Sequence, residues 1–168
     1  DDRFGSATPL DDADAAIRAA LENVPEIPVV TGFIGKTRAG EITTLGRNGS
    51  DYSATIFAAA LGVKEVQIWS DTDGVMTADP RLVPNARPLE ALSFEEACEL
   101  AYYGGKVLHP HTLLPAMRRN IPVRVLNTFK PEHPGTRIVA KLQDGAAGVK
   151  SIAFKRHQAI VSISSPRM

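Results

Sequence analysis

The sequence predicts an α/β domain built on a parallel sheet, and three consecutive stretches carry that expectation. Glu41 to Leu45 is an extended run, Tyr52 to Leu61 is an apolar, alanine-rich helical run, and Glu65 to Ser70 has the β-branched and aromatic content of a strand. Strand, helix and strand at this spacing form the unit from which parallel sheets are made.

Composition bounds the rest. The chain has 168 residues, 43% of them hydrophobic and 23% charged, which suits about one domain with a core of its own. Nineteen Lys and Arg balance nineteen Asp and Glu, so nothing calls for nucleic acid or a membrane surface as partner. The single cysteine, Cys98, has no internal partner for a disulfide and fits a reducing compartment. No apolar run approaches the roughly 20 residues of a membrane span. The expected setting is cytosolic, or an organelle such as the plastid after loss of a transit peptide.

In chain order, Asp1-Asp2-Arg3-Phe4-Gly5 lacks an initiator Met and reads as the interior of a longer protein. A helix is expected from Asp12 to Asn23, with Ile17, Ala20, Leu21 and Val24 on its apolar face. Pro28 to Ile34 is mostly apolar and suits a buried strand. Gly35-Lys36-Thr37 resembles the end of a P-loop, but the first glycine of that pattern would fall at Val30 and no helix follows. Lys36 to Gly40 is better read as a polar hairpin turn.

Thr44-Leu45-Gly46-Arg47-Asn48-Gly49-Ser50-Asp51 has the layout of an anion site. Gly46 and Gly49 permit positive φ and close approach of a ligand. Arg47 offers a planar charged fork, and the helix beginning at Ser50 and Asp51 presents free N–H groups. Taken alone, the stretch is equally a glycine turn with a Ser or Asp N-cap. The second constellation, Asp71 to Arg81, follows directly on the strand ending at Ser70. Asp71, Asp73 and Asp79 are candidate acceptors for ribose or a metal, and Arg81 is a candidate phosphate clamp at a strand's carboxyl end. An Asx turn followed by an Asp-Pro bend is the plainer reading. The ligand spacing of an EF-hand is absent.

Ser93-Phe94-Glu95-Glu96 is a capping box opening a helix from Phe94 to Tyr103, with Ala97, Leu100 and Ala101 inward and Cys98 buried beside them. Gly104-Gly105 ends it, and Lys106 just beyond is a candidate for swinging onto a phosphate. His109 and His111 flank a proline with no third ligand in view, a weak case for metal. Thr112 to Arg119 reads as a short helix, Pro122 to Leu126 as a buried strand and Gly135 to Val139 as a last extended piece. Lys141 to Gly148 is the linker candidate, after which Val149 to Lys155 and Ala159 to Ser164 look like strands of a second unit. Three domain segments are therefore expected: 1–140, a linker at 141–148, and 149–168.

Thr44 to Asp51, Ser70 to Arg81 and Gly105-Lys106-Val107-Leu108-His109-Pro110 together resemble the signature segments of the aspartate kinases, in order. The Asp-Gly-Val and Asp-Pro turn is shared more loosely with the amino acid kinase superfamily, including glutamate 5-kinase, acetylglutamate kinase and uridylate kinase. Residues 149–168 resemble the first strands of the ACT regulatory domain.

The resemblance implies a three-layer α/β/α sandwich with a mainly parallel sheet, followed by the start of an α+β ACT domain. It also implies transfer of the ATP γ-phosphoryl group to the side-chain carboxylate of L-aspartate, with Mg²⁺ held mainly through the nucleotide phosphates. That reaction opens the route to lysine, threonine and methionine. By the same resemblance, Arg47, Asn48, Gly49 and Ser50 form the amino-acid side of the site, and Asp51 is the catalytic aspartate. Ser50, Ser70, Asp71, Met76, Thr77, Ala78, Asp79, Pro80, Arg81 and Lys106 face ATP, with Lys106 and Arg47 sharing the catalytic work. No protein side chain is assigned as a metal ligand, and a homodimer through ACT domains is implied. The family's Lys-Phe-Gly-Gly motif is not among these residues, so the chain by itself is expected to be inactive. The alternatives are a same-fold kinase with glutamate, acetylglutamate or UMP as acceptor, and a non-catalytic nucleotide-binding regulatory subunit.

Overall fold

The computed structural model describes residues 1–103, 108–142, 148–154, 157, 159 and 162. Their elements run α1 (Ala13–Leu21), β1 (Ile34–Lys36), β2 (Ile42–Thr44), α2 (Gly49–Leu61), β3 (Val66–Ser70), β4 (Ala91–Ser93), α3 (Phe94–Tyr102), α4 (Pro110–Arg118), β5 (Val123–Asn127) and β6 (Thr136–Val139). The fold is α/β with a mainly parallel sheet. Four strands lie in the order β3-β5-β6-β4, with β3 and β5 parallel, β4 and β6 parallel, and an antiparallel seam between β5 and β6. β1 and β2 form a separate antiparallel hairpin across the expected Lys36 to Gly40 turn, closed by Thr37 N–H to Glu41 O at 2.9 Å.

The period-2 alternation of the strands decides which face of the sheet is covered. Val66, Ile68, Leu92, Val123, Val125 and Ile138 are buried in one cluster with Ala58 of α2, Phe94 and Ala97 of α3, and Leu113 and Ala116 of α4. Gln67, Trp69 and Arg137, on the opposite face, are exposed. The described residues thus supply the sheet and one helical layer of the sandwich. Helix α1 packs on α2, tied to it by Arg18 Nη1 to Ala60 O at 2.8 Å, and an ion pair from Asp14 reaches Arg119 at the end of α4.

Five expectations need correction. The strands on either side of α2 do not share a sheet: β2 pairs with β1 in the hairpin, and the parallel partner of β3 is β5. Helix α1 ends at Leu21, and Val24 lies outside it, exposed. Pro28 to Ile34 does not form a buried strand: Val29 is 97% exposed, and Phe33, at φ +72°, breaks the extension so that β1 starts only at Ile34. Strand β4 appears where only a helix cap was expected, because Ala91 to Ser93 add to β6 before the chain turns into α3. The described residues of the Val149 to Lys155 run form no ladder. They are anchored instead to the 75–77 segment and α3, through Ile152 N–H to Thr77 O, Ser151 Oγ to Met76 O, and Lys150 with Glu96.

The capping box is complete. Glu96 N–H donates to Ser93 Oγ at 3.1 Å, and Ser93 N–H donates to Glu96 Oε2 at 2.8 Å. Burial alone would raise the Glu96 pKa, but the Lys150 and Ser93 bonds outweigh it and hold the carboxyl below its usual value. Ser93→Ala is expected to cost about 1 kcal/mol of stability, read as a lower urea midpoint. An unchanged midpoint would show that the cap does not hold α3.

Candidate active site

The site is built first from the entry into α2. β2 delivers the chain to Leu45, whose N–H bonds to Phe33 O at 2.9 Å. Gly46 takes φ +79°, and Asn48 sits in the left-handed region at φ 58°, ψ 30°, a geometry Asn accepts better than other side chains. Asn48 is therefore the N-cap by backbone position, without a side-chain cap bond, and the Ser or Asp cap is not what forms: Ser50 and Asp51 lie within the first turn. Gly49 is required for space and not for φ, since a Cβ there would stand 2.6 Å from the Phe33 ring. Phe33 is in turn fixed from below, its N–H donating to Ser53 Oγ at 2.9 Å.

This packing leaves the first turn open. Among the described residues the N–H groups of Ser50 and Asp51 have no acceptor, and the exposed Arg47 has no ion-pair partner. The Asp51 carboxyl is half-buried, and its pKa is raised by desolvation, which the 3.4 Å bond from Asn48 Nδ2 offsets only in part. A half-buried carboxyl, an exposed guanidinium without an ion-pair partner and two open amides thus belong to one entry into α2.

The carboxyl end of β3 lies on the same edge, because the chain reverses at the Gly62 cap of α2 and runs back through the sheet. Ser70 Oγ lies 3.1 Å from Thr72 Oγ1, and Asp71 is exposed beyond it. Asp73 is turned inward, where hydrogen bonds from Lys130 and Asn127 hold its carboxyl below the usual range. Met76 and Thr77 then pair with the 87–89 segment through Leu89 N–H to Val75 O and Thr77 N–H to Arg87 O, enclosing a loop that carries Ala78, Asp79, Pro80 and Arg81. Arg81 is not an unengaged clamp: it forks onto Asp79, with Nη2 to Oδ2 at 2.6 Å.

Helix α4 brings a second N-terminus to this edge. Thr55 Oγ1 donates to Thr112 O at 2.6 Å, and the Tyr52 and His111 rings meet at a tilt of 53° with centroids 4.6 Å apart, so α2 and α4 start side by side. His109 caps α4, its Nδ1 accepting from His111 N–H. Among the described residues no three His, Cys, Asp or Glu converge as a metal cage. Lys106 and Gly105, named from the sequence, lie outside the described residues. Sequence reasoning missed Asn127, Lys130 and Thr136. Asn127 was findable, since the carboxyl-end rule that singled out Ser70 applies equally to its register partner on β5.

These features define an α/β domain whose ligand edge lies at the carboxyl ends of two parallel strands. The chain belongs to the amino acid kinase family, whose model matches residues 3–127. It is 49% identical to aspartokinase 1, chloroplastic, of Arabidopsis thaliana over 86% of its own length and 26% of that protein. It is 42% identical to lysine-sensitive aspartokinase 3 of Escherichia coli over 99% of its length and 38% of that protein. The crystal structure of E. coli aspartokinase III in complex with aspartate and ADP aligns with a TM-score of 0.77 at 45% identity, covering 86% of this chain and 33% of that one. The chain therefore spans roughly a quarter to two fifths of the length of these curated relatives. Among the described residues no helix is long and apolar enough to cross a membrane.

Two outcomes follow from this geometry. Gly49→Ala is expected to drive the Phe33 ring out of place and cost about 1–3 kcal/mol in urea unfolding; a neutral effect would mean that the α2 entry is not close-packed. Asp51→Asn is expected to raise the thermal midpoint at pH 7. Folding raises the Asp51 pKa, so its destabilising contribution is absent below the unfolded value of about 3.9 and grows to its full size above the folded one. The gain of the variant should therefore vanish in acid; a gain independent of pH would assign it to something other than the charge.

Proposed function

We propose that the full-length protein transfers the γ-phosphoryl group of ATP to the side-chain carboxylate of L-aspartate, giving 4-phospho-L-aspartate and ADP. The observation that carries this reading is the alignment, over most of the chain, with an aspartokinase crystallised with aspartate and ADP; the α2 entry of this chain also presents an unpaired Arg, a half-buried Asp and open helix amides. In the step, the bond from the γ-phosphorus to the β,γ-bridging oxygen breaks and a carboxylate oxygen forms the new bond to phosphorus. Little covalent work falls to the protein, and the task is positioning and charge neutralisation.

Arg47 holds the substrate carboxylate, with Asn48 and Gly49 shaping the pocket and Ser50 lying between the amino-acid and nucleotide sides. Asp51 orients the substrate. Ser70, Asp71 and the loop Met76 to Arg81 receive the nucleotide, and Lys106 reaches its phosphates. On this reading Mg²⁺ would be held chiefly by the nucleotide phosphates and would neutralise their charge. The same reading supplies the lysine, threonine and methionine pathways and places the protein in the cytoplasm or a plastid. It makes residues 149–168 the start of an ACT domain that pairs with a second copy.

The test is hydroxylamine trapping of the acyl phosphate with Mg-ATP, offering aspartate beside glutamate and acetylglutamate, with UMP followed separately as UDP. Aspartyl hydroxamate that disappears with Asp51→Ala is expected, and Arg47→Ala should raise the KM for aspartate about 10- to 100-fold through the lost charge-assisted bonds. Turnover on another acceptor alone would overturn the substrate, and no turnover on any would favour a regulatory role.

A further inference from the structure

The turn that follows β3 is held from within and from outside; within it, Thr72 N–H donates to Ser70 Oγ at 3.2 Å and Thr72 Oγ1 donates to Gly74 O at 3.3 Å. From outside, its Ser70 to Val75 stretch is anchored by the strand β5, its connection to β6 and the first residue of β6, besides the Leu89 N–H bond to Val75 O, while Met76 and Thr77 are also held by the 87–89 segment, Ser151 and Ile152. At one end, Thr128 N–H donates to Ser70 O at 2.8 Å. In the middle, Asn127, 4% exposed at the last position of β5, donates from Nδ2 to Asp73 Oδ1 at 2.6 Å, while its own Oδ1 accepts from Phe129 N–H. Lys130 Nζ takes the other Asp73 oxygen at 2.8 Å. At the far end, Thr136, fully buried, accepts from Val75 N–H at 2.8 Å and donates to Leu89 O at 2.6 Å, so one hydroxyl ties both sides of the 75–77 and 87–89 pair. Gly74, at φ +128°, lies so close to Thr136 that no Cβ fits between them.

We propose that Asn127 and Thr136 are positioning residues for the nucleotide: without touching it, they fix the Ser70 to Thr77 turn that does. This rests on the reading above that the nucleotide binds at the end of β3. A polar network in which each member is satisfied confers one conformation on a loop, and here a buried amide on β5 meets a carboxylate on the turn whose side chain is 25% exposed. Asp73 is thereby consumed as an anchor, which leaves Asp71 as the carboxylate at the strand end still exposed to ligand.

The experiment is steady-state kinetics on the full-length protein, with the KM values for ATP and aspartate measured separately. Asn127→Asp sets two carboxylates face to face and is expected to raise the ATP KM about tenfold while the aspartate KM stays within about twofold. The exchanged pair Asn127→Asp with Asp73→Asn restores an amide facing a carboxylate and should recover most of the loss. Lys130→Ala, on the surface, should give a smaller rise in the ATP KM and remains informative where an Asn127 variant fails to fold. Thr136→Val should behave like Asn127→Asp, and Thr136→Ser should rescue it. Asp71→Ala serves as the control. If it raises the ATP KM while Asn127, Lys130 and Thr136 variants move both KM values equally or not at all, the positioning role is overturned and the nucleotide site stands. If Asp71→Ala also leaves the ATP KM unchanged, the nucleotide site at β3 falls and the positioning role falls with it.

Discussion

The start of α2 presses against Phe33 at a position where no side chain fits, and the architecture of the edge depends on that contact. Gly49 lets the helix begin under the ring, and Phe33 accepts a left-handed backbone to stay there, a strain of order 1–3 kcal/mol for a bulky residue. The bond from Phe33 N–H to Ser53 and the bond from Leu45 to Phe33 O close the arrangement. Its consequence is a helix N-terminus with open amides, aimed at the edge where β3 and β5 end. Its cost is visible upstream, where the chain cannot extend into β1 before Ile34.

Two carboxylates on this edge are tuned in opposite directions, and the contrast separates their roles. Burial raises Asp51, whose one hydrogen bond among the described residues, from Asn48, is long, while Lys130 and Asn127 lower Asp73 by binding both of its oxygens. A carboxylate whose partners are complete shapes a loop. One that is partly desolvated and still open to a partner destabilises the folded chain until a ligand supplies the missing charge, a common arrangement at reactive sites.

Much of the sheet was legible because its strands are short β-branched runs bounded by turn residues, and the capping box at Ser93 and Glu96 announced α3 by local chemistry alone. The left-handed turn at Asn48 was likewise readable from Asn between two glycines. What sequence could not give depends on tertiary packing. The Pro28 to Ile34 run has strand composition, but its fate is decided by the ring of Phe33 against a helix sixteen residues later. β4 is three residues long, too short for periodicity to declare it. The charge of Arg81 is plain in the sequence, whereas its fork onto Asp79 is not. Asn127 and Thr136 carry no motif, and their partners are 54 and 61 residues away in sequence.

In the proposed division, the α2 entry is the amino-acid side of the edge and the turn after β3 its nucleotide side. Backbone amide hydrogen exchange of the full-length protein, with Mg-ADP and aspartate added singly, tests it most directly. The expected result is that aspartate slows exchange at 46–51 and Mg-ADP slows it at 70–81. Protection of neither stretch, or of both by the same single ligand with no difference between them, would contradict the division.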